Sequence, residues 1–188
     1  MRIVLASKSP RRRELLGKLI SDFEIITSET DETLPGDVHP SVGVELLAIR
    51  KGEAVARKIS RDALVISSDT LVELGGIPLG KPHDASDAVR MLSLLSGRTH
   101  HVHTGVAVHY NGKVFSGVDS AAVTFRNLSE EEIIEYVRSG EPMDKAGAYA
   151  IQGGGARFVE KYEGEFDAIV GLGLKLTKKL IDTAVKDD

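Results

Sequence analysis

Two alternating segments, Thr99–Tyr110 and Lys113–Phe125, are separated only by Asn111-Gly112. That dipeptide favours the left-handed backbone of a two-residue hairpin turn, which predicts two long antiparallel strands side by side. Such a ribbon is not stable alone, so the rest of the chain has to supply further strands and a cover of helices. At 188 residues and 41% hydrophobic content the chain is long and apolar enough to do so, and a single domain spanning 1–188 is the expectation.

The remaining elements follow from local signals. Arg2–Ala6 is a short apolar run that predicts a buried strand. Ser9 then offers an N-cap and Pro10 fits the first helical position, opening a helix with Leu15, Leu16, Leu19 and Ile20 on one face. Phe23–Thr27 predicts a second strand, and residues 28–41 an acidic, turn-rich loop. An amphipathic helix is expected over 42–59, weakened at Gly52. Ala63–Ser67 predicts a buried strand that ends at Ser68-Asp69-Thr70, followed by a hairpin turning at Gly75-Gly76. Asp84 or Ser86 opens a helix through Leu95, and Ser129–Glu132 is a capping box for a helix closing at Gly140. A glycine-rich stretch leads to the segment Arg157–Tyr162, a turn at Glu163-Gly164, the segment Phe166–Val170 and a helix from about Leu174 to Val185. Strands and helices alternate without strict βαβ order, which predicts an α/β fold with a mixed central sheet and flanking helices.

Composition narrows the chemistry. With 24 Lys+Arg against 28 Asp+Glu the net charge is −4, which argues against a surface that grips nucleic acid throughout but leaves room for a local basic pocket. Without cysteine there is no disulfide, thiolate nucleophile or Cys-ligated metal. No apolar run approaches the roughly 20 residues that span a bilayer. The N-terminus is apolar for only four residues before a basic stretch, so a soluble, cytoplasmic protein is expected.

Three places could carry chemistry. The first is the strand–loop–helix junction Ser7-Lys8-Ser9-Pro10-Arg11-Arg12, where unpaired N–H groups, hydroxyls and guanidiniums suit a phosphate. Adjacent arginines on a helix point about 100° apart, so one can face a ligand while the other reaches sideways. A capped helix with solvated arginines fits the same residues. The second is Asp69, a carboxylate at a strand end on the rim of an α/β sheet, able to bind a divalent cation or orient water, or else a turn residue bonding its own backbone. The third is scattered: Lys51, Lys81, the pair Asp144-Lys145, and the acidic loop with Glu29, Asp31 and Glu32, each equally at home on a solvated surface. His100, His101 and His103 do not read as a zinc site, because His100 points away from the other two and no neighbouring carboxylate is evident. No GxSxG elbow is present.

Several of these residues lie in an ordered series. It runs through Leu5-Ala6-Ser7-x-Ser9-Pro10-Arg11-Arg12-x-Glu14-Leu15-Leu16, Leu47-Ala48-x-x-Lys51, Ser68-Asp69-Thr70 and Gly80-Lys81-Pro82. It continues through Ser96–His100, Gly140–Tyr149, Ile151-Gln152-Gly153 and Val170-Gly171-Leu172. In this the chain resembles the Maf family of nucleoside triphosphate pyrophosphatases along nearly its whole length. The resemblance implies two lobes around a nucleotide cleft, similar to inosine triphosphate pyrophosphatases, and cleavage of a nucleoside triphosphate between the α and β phosphates with a divalent metal, Mg²⁺ or Mn²⁺. It makes Asp69 the base that activates water, sets Ser7, Arg12, Glu32, Lys51 and Lys81 around the phosphates and metal, and makes Glu32 and Asp69 the metal ligands. Arg11, Thr70 and Gln152 match the subgroup acting on dTTP and UTP, and the absence of tryptophan disfavours the subgroup acting on 7-methyl-GTP. An amide such as Gln152 can pair with the O4 and N3–H edge of a pyrimidine. The resemblance also suggests a homodimer, with no nucleic-acid or membrane partner. Two alternatives stand beside this: the same chemistry on another modified nucleotide, and a nucleotide-sensing division regulator without turnover. Gly52, Gly173 and Ser68 depart from the family's usual Ala, Pro and Ala, departures expected to touch flexibility rather than chemistry.

Overall fold

A computed structural model describes residues 1–27, 29–31, 33 and 38–187. Its centre is the ribbon predicted from Asn111-Gly112: β5 (Thr99–Tyr110) and β6 (Lys113–Phe125) pair along their whole length, from Tyr110↔Lys113 to Thr99↔Thr124. Around it run β1 (Ile3–Leu5), α1 (Pro10–Gly17), β2 (Glu24–Ile25), α2 (Pro40–Ala56), β3 (Leu64–Leu74), β4 (Ile77–Leu79), α3 (Ala85–Leu95), α4 (Glu130–Arg138), β7 (Val159–Glu163), α5 (Phe166–Val170) and α6 (Leu174–Lys186). The strand order is β2-β1-β3-β5-β6-β7, with β4 on β3 as a branch. The β1 pairings are parallel and the others antiparallel, so the sheet is mixed, as predicted.

Local signals were accurate where the cap or turn is chemical. Asp84 caps α3 by accepting from the Asp87 N–H, and Ser129 with Glu132 forms the full capping box of α4. Gly75 and Gly76 turn β3 into β4 with positive φ at both positions. The first helix is shorter than predicted, ending at Gly17, although Leu15 and Leu16 are buried as expected. Phe166–Val170 is a short helix.

The main correction concerns β3. It does not stop at Ser67 but runs to Leu74, because β5 goes on pairing with it through Ser68↔Val106, Asp69↔Gly105 and Thr70↔Thr104. The polar triplet interrupts the apolar run without interrupting the strand. On its other edge β3 pairs with β1 over Leu64–Ile66 and with β4 over Val72–Leu74, so among the described residues no strand lies beside the intervening residues 67–71 there. The expected rim therefore exists, but it is the carboxyl end of β1; Asp69 lies mid-strand, facing the gap that β1 leaves.

Two glycines let α2 lie close to the sheet. A Cβ on Gly105 would come within 2.5 Å of the Val44 carbonyl, and one on Gly52 within 2.5 Å of the His109 ring and the Ser67 hydroxyl. Gly52 is thus a contact between helix and sheet, where the sequence suggested only a flexible spot. Gly173 is equally constrained, since a Cβ there would run into the Asp119 carboxylate. The larger core joins β3, β5 and β6 to α3, α4 and α6, with Phe125, Phe158, Leu92 and Leu95 fully buried. A smaller cluster of Val4, Ala6, Val55 and Val65 lies beside α2. No helix among the described residues is long and apolar enough to cross a membrane.

Candidate functional site

The gap beside β3 opens into a cleft of about 1320 Å³. Strand alternation divides the polar triplet and its neighbour between two faces. Ser67 and Asp69 turn toward α2: the Ser67 hydroxyl donates to the Ala48 carbonyl at 2.7 Å, and Lys51 Nζ reaches Asp69 Oδ1 at 2.6 Å. Ser68 and Thr70 turn the other way. The Ser68 hydroxyl donates to the Gly171 carbonyl at 2.9 Å, and Thr70 Oγ1 lies 3.0 Å from Thr104 Oγ1.

Arg12 arrives from the first turn of α1. Ser9 caps that helix, accepting from the Arg12 N–H, and Ser7 Oγ accepts from the Ser9 N–H, so the loop after β1 is folded by its own hydroxyls. The Arg12 side chain crosses to β3: Nε donates to the Gly171 carbonyl at 2.9 Å, Nη2 to Thr70 Oγ1 at 3.1 Å, and Nη2 stands 3.9 Å from Asp69 Oδ1. Two cations from two helices thus meet one carboxylate, whose side chain is only 14% exposed. The neighbouring Arg11 diverges, and its charge reaches Asp144, whose acidity is increased first by the contact with Lys145 and then by this more distant charge.

Of the residues singled out in the sequence, Ser7, Arg11, Arg12, Lys51, Asp69, Thr70, Lys81 and Gln152 all line this one cleft. Glu32 lies outside the described residues, while Glu29 lines the cleft from the same loop. Lys145 also lines it, beside Asp144.

The far wall, with Tyr149, Ala150, Ile151 and Gln152, comes from the turns between Gly140 and Phe158. Its support is the Tyr136 hydroxyl on α4, which accepts from the Ala150 N–H at 3.0 Å and donates to the Glu141 carboxylate. Burial, and then the bond to Glu141, hold that phenol above the usual range. Gly153 lies flat on the Glu141 carboxylate, where any Cβ would collide. Beneath this wall the fully buried His100 contacts the Tyr149 hydroxyl at 2.9 Å, and burial pushes its pKa down to about 4.

The histidine reading needs one correction. A carboxylate does stand beside His103: Glu73 on β3 lies 3.0 Å from His103 Nε2, with Ser120 at 2.7 Å from Nδ1. The partner comes from the next strand, so spacing along the sequence could not disclose it. Among the described residues no group of three or more His, Cys, Asp or Glu side chains is arranged to hold a metal. A cage is not what a Mg²⁺-type ion with a phosphate ligand requires, since one or two carboxylates, water and phosphate oxygens suffice; Asp69 in an open cleft fits that donor set.

Comparison with known proteins gives a consistent picture. The family of Maf-like proteins matches over residues 2–184. A "dTTP/UTP pyrophosphatase" of Moorella thermoacetica is 50% identical over 182 residues, 96% of this chain and 93% of that protein. A protein of the same name from Aquifex aeolicus is 48% identical over 182 residues, 96% of this chain and 94% of its own length. Among solved structures the Ham1 protein of Staphylococcus aureus has a similar fold, with a TM-score of 0.50 at 19% identity over 82% of this chain and 90% of that one.

Proposed function

The chain belongs to the family of Maf-like proteins, and from that premise we propose that it hydrolyses dTTP and UTP between the α and β phosphates, releasing the nucleoside monophosphate and pyrophosphate. The observation that carries this reading is the convergence of Lys51 and Arg12 on Asp69 inside a cleft also lined by Ser7, Arg11 and Lys81. A net charge of −4 makes a local cationic basket necessary for a polyanionic ligand. In the resting site Asp69 occupies the cations. An entering triphosphate competes for Lys51 and Arg12, leaving the carboxylate to orient a water and take its proton. The water oxygen bonds to the α-phosphorus, the bridging oxygen leaves with the β phosphate, and the charge gathering on pyrophosphate meets Arg12, Lys51, Lys81 and the N–H groups opening α1. A divalent cation, Mg²⁺ or Mn²⁺, would be held by Asp69 and, in the sequence reading, by Glu32; bound there it would polarise a phosphoryl oxygen and lower the pKa of water. Gln152 reads the pyrimidine edge from the opposite wall. The expected setting is the cytoplasm.

A panel of dTTP, UTP, CTP and 7-methyl-GTP with Mg²⁺, assayed for pyrophosphate and orthophosphate separately, tests the reading. Pyrophosphate from dTTP and UTP is the expected product. Orthophosphate as the first product would place cleavage at the wrong bond, and tight binding with no product would favour a sensor.

A further inference from the structure

Thr70 and Thr104 face each other in register across β3 and β5, and their hydroxyls form a chain whose direction can be worked out. The Thr104 hydroxyl donates its one proton to the Ala168 carbonyl at 2.7 Å, and Thr104 is fully buried. In the 3.0 Å contact between the two threonines, Thr70 must therefore be the donor. That commits the only proton Thr70 has, and its oxygen receives Nη2–H of Arg12 at 3.1 Å. The order is Arg12 to Thr70, Thr70 to Thr104, Thr104 to the α5 backbone, each hydroxyl accepting one bond and donating the next.

A second nitrogen of the guanidinium is fixed independently. Arg12 Nε donates to the Gly171 carbonyl, which the Ser68 hydroxyl also holds. Gly171 has φ +132°, and a Cβ there would lie 3.4 Å from both Arg12 Nε and Thr70 Oγ1. With Nε and Nη2 both tied, the arginine is ordered before any anion arrives, so less rotamer freedom is lost on binding.

We infer that Thr104 is a positioning residue for the triphosphate-binding Arg12, acting through Thr70, and that Thr70 serves the site as an acceptor for Arg12 and not as a donor to the nucleotide base. This rests on the proposed function for its substrate class. The triphosphate tail is common to all nucleotides, so loss of the relay weakens each of them by the same factor. A threonine that read the base directly would change their ratio.

The experiment is a double-mutant cycle with Thr104→Val, Thr104→Ser and Thr70→Val, each made in the wild-type and Arg12→Met backgrounds. Two readouts are taken: kcat/KM for dTTP, UTP and CTP, and affinity for inorganic pyrophosphate by calorimetry. Thr104→Val and Thr70→Val are expected to lower both readouts about five- to tenfold, the scale of one ordinary hydrogen bond. The factor should be equal for the three nucleotides, and Thr104→Ser should restore most of it. In the Arg12→Met background either substitution should change the readouts by less than about twofold, because coupled residues do not add. A changed ratio among the nucleotides, or an undiminished loss without Arg12, overturns the inference. Should Thr104→Val fail to fold, Thr70→Val at the cleft wall closes the same cycle. If the wild-type chain releases pyrophosphate from no nucleotide, the proposed function fails, while the pyrophosphate titration still decides the relay.

Discussion

The end of the cleft assigned to the phosphates hangs on β3 and the opening of α1, where Asp69, Thr70 and Arg12 are held by strand pairing, a helix cap and buried hydroxyls. The end assigned to the base hangs on short turns between Glu141 and Phe158, held by one tyrosine hydroxyl, one carboxylate and a histidine contact. The difference matches the chemistry required. Phosphoryl transfer depends on positioning charges to within a fraction of an ångström, which rigid elements do best. Base selection depends on a few neutral hydrogen bonds, which turns can present and exchange without disturbing the sheet.

The comparison breaks first at Asp69. Asp69→Asn keeps the shape and the strand pairing but removes the proposed base and cation ligand. Turnover should fall about 100-fold or more, roughly 3 kcal/mol of barrier, with an unchanged thermal midpoint. Near-normal pyrophosphate release from this variant would remove Asp69 from the role.

Acid should act on the other end. His100 carries a pKa lowered to about 4 by burial, whereas in the unfolded chain it returns to about 6.5. Between those values the unfolded state binds the extra proton, so the stability is complete above about pH 6.5, declines as the pH falls toward 4, and is lost no further below it. The sum is about 3 kcal/mol at most. Urea unfolding across this window should show a steeper fall of stability in wild type than in His100→Phe, which keeps only the part due to other groups such as the buried His109.

Lys81 tests the phosphate end again, on a smaller scale. Lys81→Ala should raise KM for dTTP, UTP and CTP alike by about 10-fold, as expected for one charged contact to phosphate. A selective effect on one base would contradict the division of the cleft.

How much of this was legible in the sequence depended on distance along the chain. The β5–β6 ribbon, the Ser9 and Asp84 caps and the Ser129–Glu132 box are set by neighbours a few residues apart, and they were readable. The course of β3 through Asp69 was not, because Ser68-Asp69-Thr70 reads as a strand end unless one knows that Val106, Gly105 and Thr104 lie opposite. The cationic residues stood out by type and by family pattern, yet their partners did not: Arg12 finds the Gly171 carbonyl 159 residues away. Glu73 beside His103 and Tyr136 beneath Ala150 were missed for the same reason. Gly52 and Gly173, read as points of flexibility, are places where another side chain fills the space a Cβ would need.

The smallest effect is the one that most sharpens the comparison. Gln152 is exposed at the edge of the cleft, on a turn fixed from behind by Gly153 against Glu141. If the turns only select the base, Gln152→Ala should leave kcat for dTTP nearly unchanged and shift the dTTP-to-CTP ratio of kcat/KM by about 10-fold at most, the worth of a neutral hydrogen bond or two. Gly153→Ala should move the same ratio in the same direction, because the added methyl pushes the turn off Glu141 and carries Gln152 with it. Measured side by side, equal shifts in ratio with unaltered kcat would mean that selectivity resides in the position of that turn, whereas a fall in kcat for every nucleotide would mean that the turn also helps align the phosphates.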